Sequence, residues 1–427
     1  MTSVVSDSRN PYIDLVEPDR IHGSIYTDPE VFEWELEQIW ACEWIFVGHD
    51  SQVPEPGDYV KTWIGRQPAV MTRDKSGAIH VLLNRCAHRG AQVCDQAQGN
   101  SSVFRCPYHG WTFSNTGALL GYPYNSGYGG TVKKSEMGLG RAMVATYRGF
   151  VFARLTEEGP TLEEHLGLAA EGIDRFVEFS PVGELQMSAG FIKHDVRANW
   201  KILLENETDG YHPGFVHSSI FSVVPTNLTD IFAESSLTEV RDLGNGHTEL
   251  DARAEYARVG SELEWLGSDR VKLAEYVTVL EAARGVERAA EILRAGPPHV
   301  MVFPNLFLAE LSVHWFQPVG VDRTIQHGTV AQFKGAPSFN RRIMRKAEGT
   351  IGPAGLLQAD DSEMYERVQR GLAAHTPEWA VLKRGLHREH RDAAGALVSN
   401  LTDETSLRGI WSHYRKLLER SSTPVSA

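Results

Sequence analysis

A chain of 427 residues, 42% of them hydrophobic, is long enough for two or three cores and too long for a single small module. Its formal charge of −13 removes nucleic acid from the partner classes, because phosphate recognition needs a basic footprint that this balance does not supply. No run is long and apolar enough to span a bilayer, and Met1 to Asn10 lack a basic stretch followed by an apolar one, so the expected location is the cytoplasm, away from membranes.

Along the chain, Thr27-Asp28-Pro29 is a helix start signal. After it Val31, Phe32, Trp34, Ile39 and Trp40 recur at near-helical spacing, which predicts a packing helix over residues 28–44. The pattern then turns to short β-rich runs at 59–64, 69–72 and 79–83, separated by Gly65-Arg66-Gln67-Pro68 and Asp74-Lys75-Ser76-Gly77 turns. A further strand over 146–153 closes a small β domain near residue 155. Beyond it, 300–303 and 330–333 read as strands and 263–293 and 364–382 as charged helices. That mixture predicts an α+β domain with an antiparallel sheet. The expected division is a helical segment at 1–45, a small β domain at 46–155 and an α+β domain at 156–427.

Four cysteines are too few for a disulfide framework in a chain of this size, and two of them stand in histidine-bearing motifs. Cys42 and Cys94 read as buried small hydrophobes. The motifs are Cys86-Ala87-His88, then seventeen residues, then Cys106-Pro107-Tyr108-His109. Two thiolates and two imidazoles can hold a tetrahedral zinc ion or an iron–sulfur cluster. Structural zinc usually draws paired cysteines, whereas one Cys and one His from each loop lets both sulfurs hold one iron and both imidazoles the other. With their neighbours, Cys86-Ala87-His88-Arg89-Gly90-Ala91 and Cys106-Pro107-Tyr108-His109-Gly110-Trp111 resemble the loops of Rieske 2Fe–2S domains. In the respiratory branch of that family each loop carries a further cysteine; Ala91 and Tyr108 stand in those places here, which resembles the oxygenase branch.

A second pattern follows in Asp209-Gly210-Tyr211-His212-Pro213-Gly214-Phe215-Val216-His217. Histidines five apart leave a common helix face, and a break at Pro213-Gly214 would let both imidazoles converge on one ion. A carboxylate would complete a 2-His-1-carboxylate triad with open positions for oxygen on Fe(II). Several acids qualify, Asp209 among them.

Most of the chain resembles the alpha subunits of aromatic-ring-hydroxylating oxygenases. The resemblance implies an all-β Rieske domain inserted after a short helical segment, and a C-terminal helix-grip-like catalytic domain with helices flanking an antiparallel sheet. It implies a Rieske cluster on Cys86, His88, Cys106 and His109, and a mononuclear Fe(II) on His212, His217 and Asp361, with Asp360 as fallback. The third ligand rests on the run Gly352 to Asp361, and Asp209 becomes a bridging carboxylate between subunits. Electrons would come from NAD(P)H through a separate reductase, with or without a ferredoxin, since no Gly-x-Gly-x-x-Gly motif opens a helix here. The assembly would be a trimer of alpha chains, alone or as α3β3 with a small beta subunit.

Expected pocket residues flank the ligands: Asn206, Glu207, Phe215, Leu306, Phe307, His314, Ile351 and Leu357. Leu306 and Phe307 read nearly as well as core. The ending Glu404-Thr405-Ser406-Leu407-Arg408-Gly409-Ile410-Trp411 resembles oxygenases of aromatic acids, which favours cis-dihydroxylation of an aromatic carboxylate. No arginine among the pocket candidates would pair with one, however, and an inward Glu207 would repel it. Monohydroxylation or dealkylation of an uncharged or amine-bearing aromatic is the alternative. The run Arg341-Arg342-Ile343-Met344-Arg345-Lys346 reads as a solvated helix face, or as a docking patch for an acidic electron donor. Other classes are an electron-transfer protein without oxygenase activity, and a zinc hydrolase, which would need a Glu where Pro213 stands.

Overall fold

The computed structural model describes residues 10–222, 230–350 and 355–420. Asp28 caps the first long helix, Pro29–Gln38, by accepting the Glu30 N–H at 2.8 Å. The helix is shorter than the spacing predicts. Ile39 caps its end, donating its N–H to Glu35 O at 2.8 Å, and Trp40 lies just beyond; both stay buried, Trp40 packing edge-on against Trp200 at 5.3 Å.

The β-rich region forms a four-stranded sheet in the order Ile79–Leu83, Gln67–Arg73, Asp58–Ile64, Gln98–Asn100, and a three-stranded one of Leu119–Gly121, Thr112–Ser114 and Val103–Arg105. The single strand expected over 146–153 is a hairpin. Arg148 (φ 49) and Gly149 (φ 87) turn the chain between Met143–Tyr147 and Phe150–Arg154, with Tyr147 paired to Phe150.

The remainder is built on a nine-stranded, wholly antiparallel sheet. Its order is Ile192–Val196, Arg323–Val330, Ser312–Gly320, Leu306–Ala309, Val300–Val302, His247–Asp251, Glu239–Gly244, Leu397–Asn400, His390–Arg391. Strand alternation divides its central residues between two cores. Val300, Val302, Leu306 and Leu308 join one with the helix Ala169–Glu178, while Met301, Phe303, Phe307 and Ala309 join the other with Trp200, Trp411 and Tyr414. The helix Ala169–Glu178 lies so close that a Cβ on Gly172 would come 2.5 Å from Val300 Cγ2. The α+β expectation holds.

Two expected helices differ. The run 263–293 is a 3-10 turn, Glu264–Leu266, then helices Ala274–Arg284 and Val286–Ala295, separated where Gly285 takes φ 83. The helix expected over 364–382 runs instead from Leu356 to Gly371, and Trp379–Val381 is a strand paired with Arg20–His22. The run 330–333 is split between the end of Arg323–Val330 and the short strand Gln332–Phe333.

Buried ionic bonds stitch distant segments around the helix Trp200–Asn206. Glu35 accepts from Lys201 Nζ (2.6 Å), Trp200 Nε1 (2.8 Å) and Tyr414 Oη (2.6 Å). Glu205 accepts from Tyr26 Oη (2.7 Å) and Trp411 Nε1 (2.6 Å). Each carboxyl group thereby has the donors that burial of a polar group demands. Among the described residues no helix is long and apolar enough to cross a membrane.

Candidate active site and metal centres

The two Cys-His loops repeat one backbone device. Cys86 N–H donates to Ala91 O (2.8 Å) and Gly90 N–H to Cys86 O (2.9 Å); in the second loop Cys106 N–H donates to Trp111 O (2.7 Å) and Gly110 N–H to Cys106 O (3.0 Å). Each turn needs the left-handed backbone that Gly90 (φ 75) and Gly110 (φ 70) supply without a Cβ penalty. The result brings the four side chains together. Both cysteines are buried and unpaired by disulfide, and the His88 and His109 rings lie 4.6 Å apart. His88 stacks on Trp111 at 5.0 Å, and its buried Nδ1 has no hydrogen-bond partner. Burial, and then the Cys106 side chain, hold the Cys86 thiol above its ordinary value. Paired thiols and imidazoles facing one another in this way suit a cationic iron–sulfur centre, which favours the thiolate. Cys94 is buried as expected; Cys42 is only half-buried.

The second donor set begins where the helix Trp200–Asn206 ends. Asp209 Oδ1 accepts the Tyr211 N–H (2.7 Å) and its Oδ2 accepts the His212 N–H (3.3 Å) and faces His212 Nδ1 (3.2 Å). This turn lies hard against the C-terminal part of the chain: a Cβ on Gly210 would meet Leu401 O at 2.5 Å. His212 and His217 bracket a single helical turn, Pro213–Val216, and the break at proline aims both rings at one point. Asp361 meets them from the second turn of the helix Leu356–Gly371, not from a helix N-terminus. Its Oδ1 lies 3.5 Å from His212 Nε2 and 3.4 Å from His217 Nε2, and the three ligand atoms all fall within 4.8 Å of one another. Asp360, the fallback, faces outward to His217 Nδ1 (3.6 Å) and accepts from Ser219 Oγ (3.4 Å).

Asp361 Oδ1 is buried and receives no hydrogen bond. Burial pushes its carboxyl up to about 6, and burial with the adjacent His212 pulls His217 down to about 4. A carboxylate with an orphaned oxygen between two imidazoles fits a divalent iron and leaves faces open for other ligands.

The triad opens into a cavity of about 340 Å³. Asn206, Glu207, Phe307, His314 and Leu357 line it, as expected. Three pocket expectations fail or fall outside view. Leu306 is fully buried in the sheet core because alternation turns it away from its neighbour Phe307. Phe215 is 72% exposed and packs on Tyr211 at the surface. Ile351 lies outside the described residues. Much of the apolar wall lies beyond the expected pocket residues: Phe221 follows His217 by four positions, and Phe232, Leu250 and Trp265 come from segments farther along the chain.

Two polar wall residues matter. Glu207 accepts from Gln326 Nε2 (2.9 Å), and burial, then the nearby Asp361, raise its carboxyl well above the usual range. His314 is buried with no partner at Nδ1, and burial pulls it down to about 4, so it lines the cavity as a neutral ring.

Residues 43–147 match the Rieske [2Fe-2S] domain, and residues 187–419 match the ring-hydroxylating alpha subunit catalytic domain. The chain belongs to the ring-hydroxylating oxygenase alpha-subunit family. The first match contains both Cys-His loops and the second contains Asp209 and all three triad residues. An alpha subunit of this family carries a Rieske cluster and a mononuclear iron, and the two donor sets fit those groups. Its relatives are oxidoreductases. The chain is 31% identical over 384 residues to the 2-halobenzoate 1,2-dioxygenase large subunit of Burkholderia cepacia, covering 86% of this chain and 80% of that protein. It is 32% identical to the anthranilate 1,2-dioxygenase large subunit of Acinetobacter baylyi, covering 86% and 81%. Among solved structures, naphthalene 1,2-dioxygenase from Rhodococcus sp. bound to indole superposes with a TM-score of 0.81 at 28% identity, over 95% of each chain.

Proposed function

We propose that this alpha subunit is the terminal oxygenase of a multi-component system and cis-dihydroxylates an aromatic carboxylate. Electrons come from a separate NAD(P)H-dependent reductase, directly or through a ferredoxin, to a Rieske cluster on Cys86, His88, Cys106 and His109. His212, His217 and Asp361 hold the mononuclear iron. When bound, these groups supply one-electron storage and O2 activation. The observation that carries the reading is the orphaned Asp361 Oδ1, 3.5 and 3.4 Å from two histidine nitrogens at the mouth of a largely apolar cavity.

The chain's own residues then have definable tasks. Asp209, by facing His212 Nδ1, fixes the tautomer that turns Nε2 toward Asp361. Its remaining exposure leaves it free to accept a hydrogen bond from a cluster histidine of a neighbouring subunit, which is the arrangement we assign to an alpha trimer, with or without beta subunits. Phe221, Phe232, Trp265 and Phe307 exclude water and stack on an aromatic ring. A second reading, single hydroxylation or dealkylation of an uncharged or amine-bearing aromatic, draws on Glu207, which lines the cavity as anticipated.

The test is a single turnover of reduced holoenzyme with a panel of aromatic acids, hydrocarbons and amines under labelled dioxygen. The expected product is a dihydrodiol acid carrying both labelled atoms. A single labelled atom, or products from amines alone, favours the second reading, and no oxygenated product from any of them overturns the oxygenase assignment.

A further inference from the structure

The sequence offers no obvious partner for a substrate carboxylate, yet the cavity has one cation among its described lining residues, Lys346. It stands on the helix Pro337–Thr350, in the basic run expected to face solvent. That run is divided. Arg341 and Arg345 are exposed, whereas Arg342 and Lys346, four apart, turn inward onto the loop that carries Trp265. Arg342 Nη2 donates to Leu266 O (2.9 Å) and Gly267 O (2.7 Å), and Lys346 Nζ donates to Trp265 O (3.0 Å) and to Glu310. An ammonium has three N–H donors, so two fixed partners leave one for the cavity.

Glu310 is held there by its backbone. It and Leu311 form the turn between Leu306–Ala309 and Ser312–Gly320, and both take left-handed angles (φ 54 and φ 62) although neither is glycine. Leu311 is fully buried, and that burial holds the turn and directs Glu310 toward Lys346.

The position along the cavity sets the orientation of a ligand. The Phe307 ring lies 4.8 Å from His299, whose Nε2 meets the Glu207 carbonyl at 2.9 Å. Glu310 follows Phe307 by three positions, about 10 Å of extended chain. Glu207, Asp209 and Asp361 line the cavity near the triad, while Lys346 and its partner Glu310 stand together at the hairpin.

We propose that Lys346 anchors the carboxylate of an aromatic acid at the hairpin end of the cavity, so that the triad meets ring carbons remote from the carboxylate. Glu310 holds the lysine in place when no acid is bound and competes with the acid for it. The substrates of this chain are then acids long enough to bridge the two ends, such as bicyclic ones, and the product keeps its carboxylate on a carbon that has not been oxygenated. The inference deepens the reading above and rests on it for the attack, but not for the anchoring.

The experiment uses holoenzyme with 2-naphthoate and its neutral counterpart 2-naphthamide, measuring affinity by calorimetry and product structure by NMR. Lys346→Met is expected to raise the ratio of the naphthoate Kd to the naphthamide Kd by about tenfold, the size of a charge-assisted hydrogen bond, and Lys346→Arg to restore most of it. Glu310→Gln, which removes the competitor, is expected to tighten naphthoate relative to naphthamide. A purely structural ion pair would move both ligands together in all three variants, and that result overturns the proposal, as does a wild-type product oxygenated at the carboxylate-bearing carbon. Lysine-dependent binding of naphthoate without any oxygenation keeps the anchor and overturns the dihydroxylation of the anchored acid instead.

Discussion

The cluster loops and the triad occupy the same chain but draw on it over different ranges. Cys86, His88, Cys106 and His109 fall within one short stretch, and each loop closes on itself through hydrogen bonds that span five residues or fewer. His212 and His217 flank one helical turn and Asp361 stands on a separate helix about 150 positions later, and the helix preceding the histidines is fixed by Glu35 near one end of the chain and Tyr414 near the other. A site made of local turns depends on its own glycines. A site made of tertiary packing depends on the whole core, and damage far from the metal should reach it.

The sharpest way to break this contrast is to remove one ligand at a time. His212→Ala or Asp361→Ala is expected to reduce product to background and lower the iron content while leaving the cluster's visible spectrum, whereas Cys86→Ser should remove acid-labile sulfide and leave the triad iron. Iron and sulfide analysis decides, and loss of both metals from either variant would show that the sites are not independent. Next in size is Asp209→Asn, expected to lower turnover about 100-fold with both metals retained, since it loosens the orientation of His212 without removing a ligand. Normal turnover would remove Asp209 from the machinery.

Remote damage follows. Glu35→Ala leaves Lys201 buried without its partner and should cost about 3–5 kcal/mol of stability in urea unfolding, with triad iron lost before the cluster. Equal loss of both would contradict the contrast. The smallest effect is one of pH. Burial raises Glu205 from 4.5 to about 7. Between those values the folded chain keeps a proton that the unfolded chain has released, so this group's contribution to stability falls as pH rises through the window and levels off above it. Glu205→Gln should therefore gain on the parent by up to about 1.4 kcal/mol per pH unit across that range. A constant difference would place the group's titration elsewhere.

Legibility in the sequence followed the same division. The cluster residues and the histidine pair could be read because their ligands, glycines and proline sit side by side, and Gly90 and Gly110 do take the backbone angles their loops need. The cavity could not be read so well. Phe307 faces it and Leu306 does not, a choice made by strand register, and Phe215 between the histidines points to solvent because the turn Pro213–Val216 aims only the flanking rings inward. Lys346 looked like one more surface charge, since nothing local in Arg341 to Lys346 tells which two of its basic residues lie under a loop some 80 positions earlier. The missed hairpin at Arg148-Gly149 is of the same kind: arginine is a poor predictor of a left-handed turn.

The buried carboxylate at Glu35 also imposes a timetable. A chain emerging from the ribosome can close both Cys-His turns once it has passed Trp111, but Glu35 must wait for Tyr414 before its last donor arrives. The Cys-His loops can thus close while synthesis is under way, whereas the triad waits about 250 further residues for Asp361 and about 300 for Tyr414.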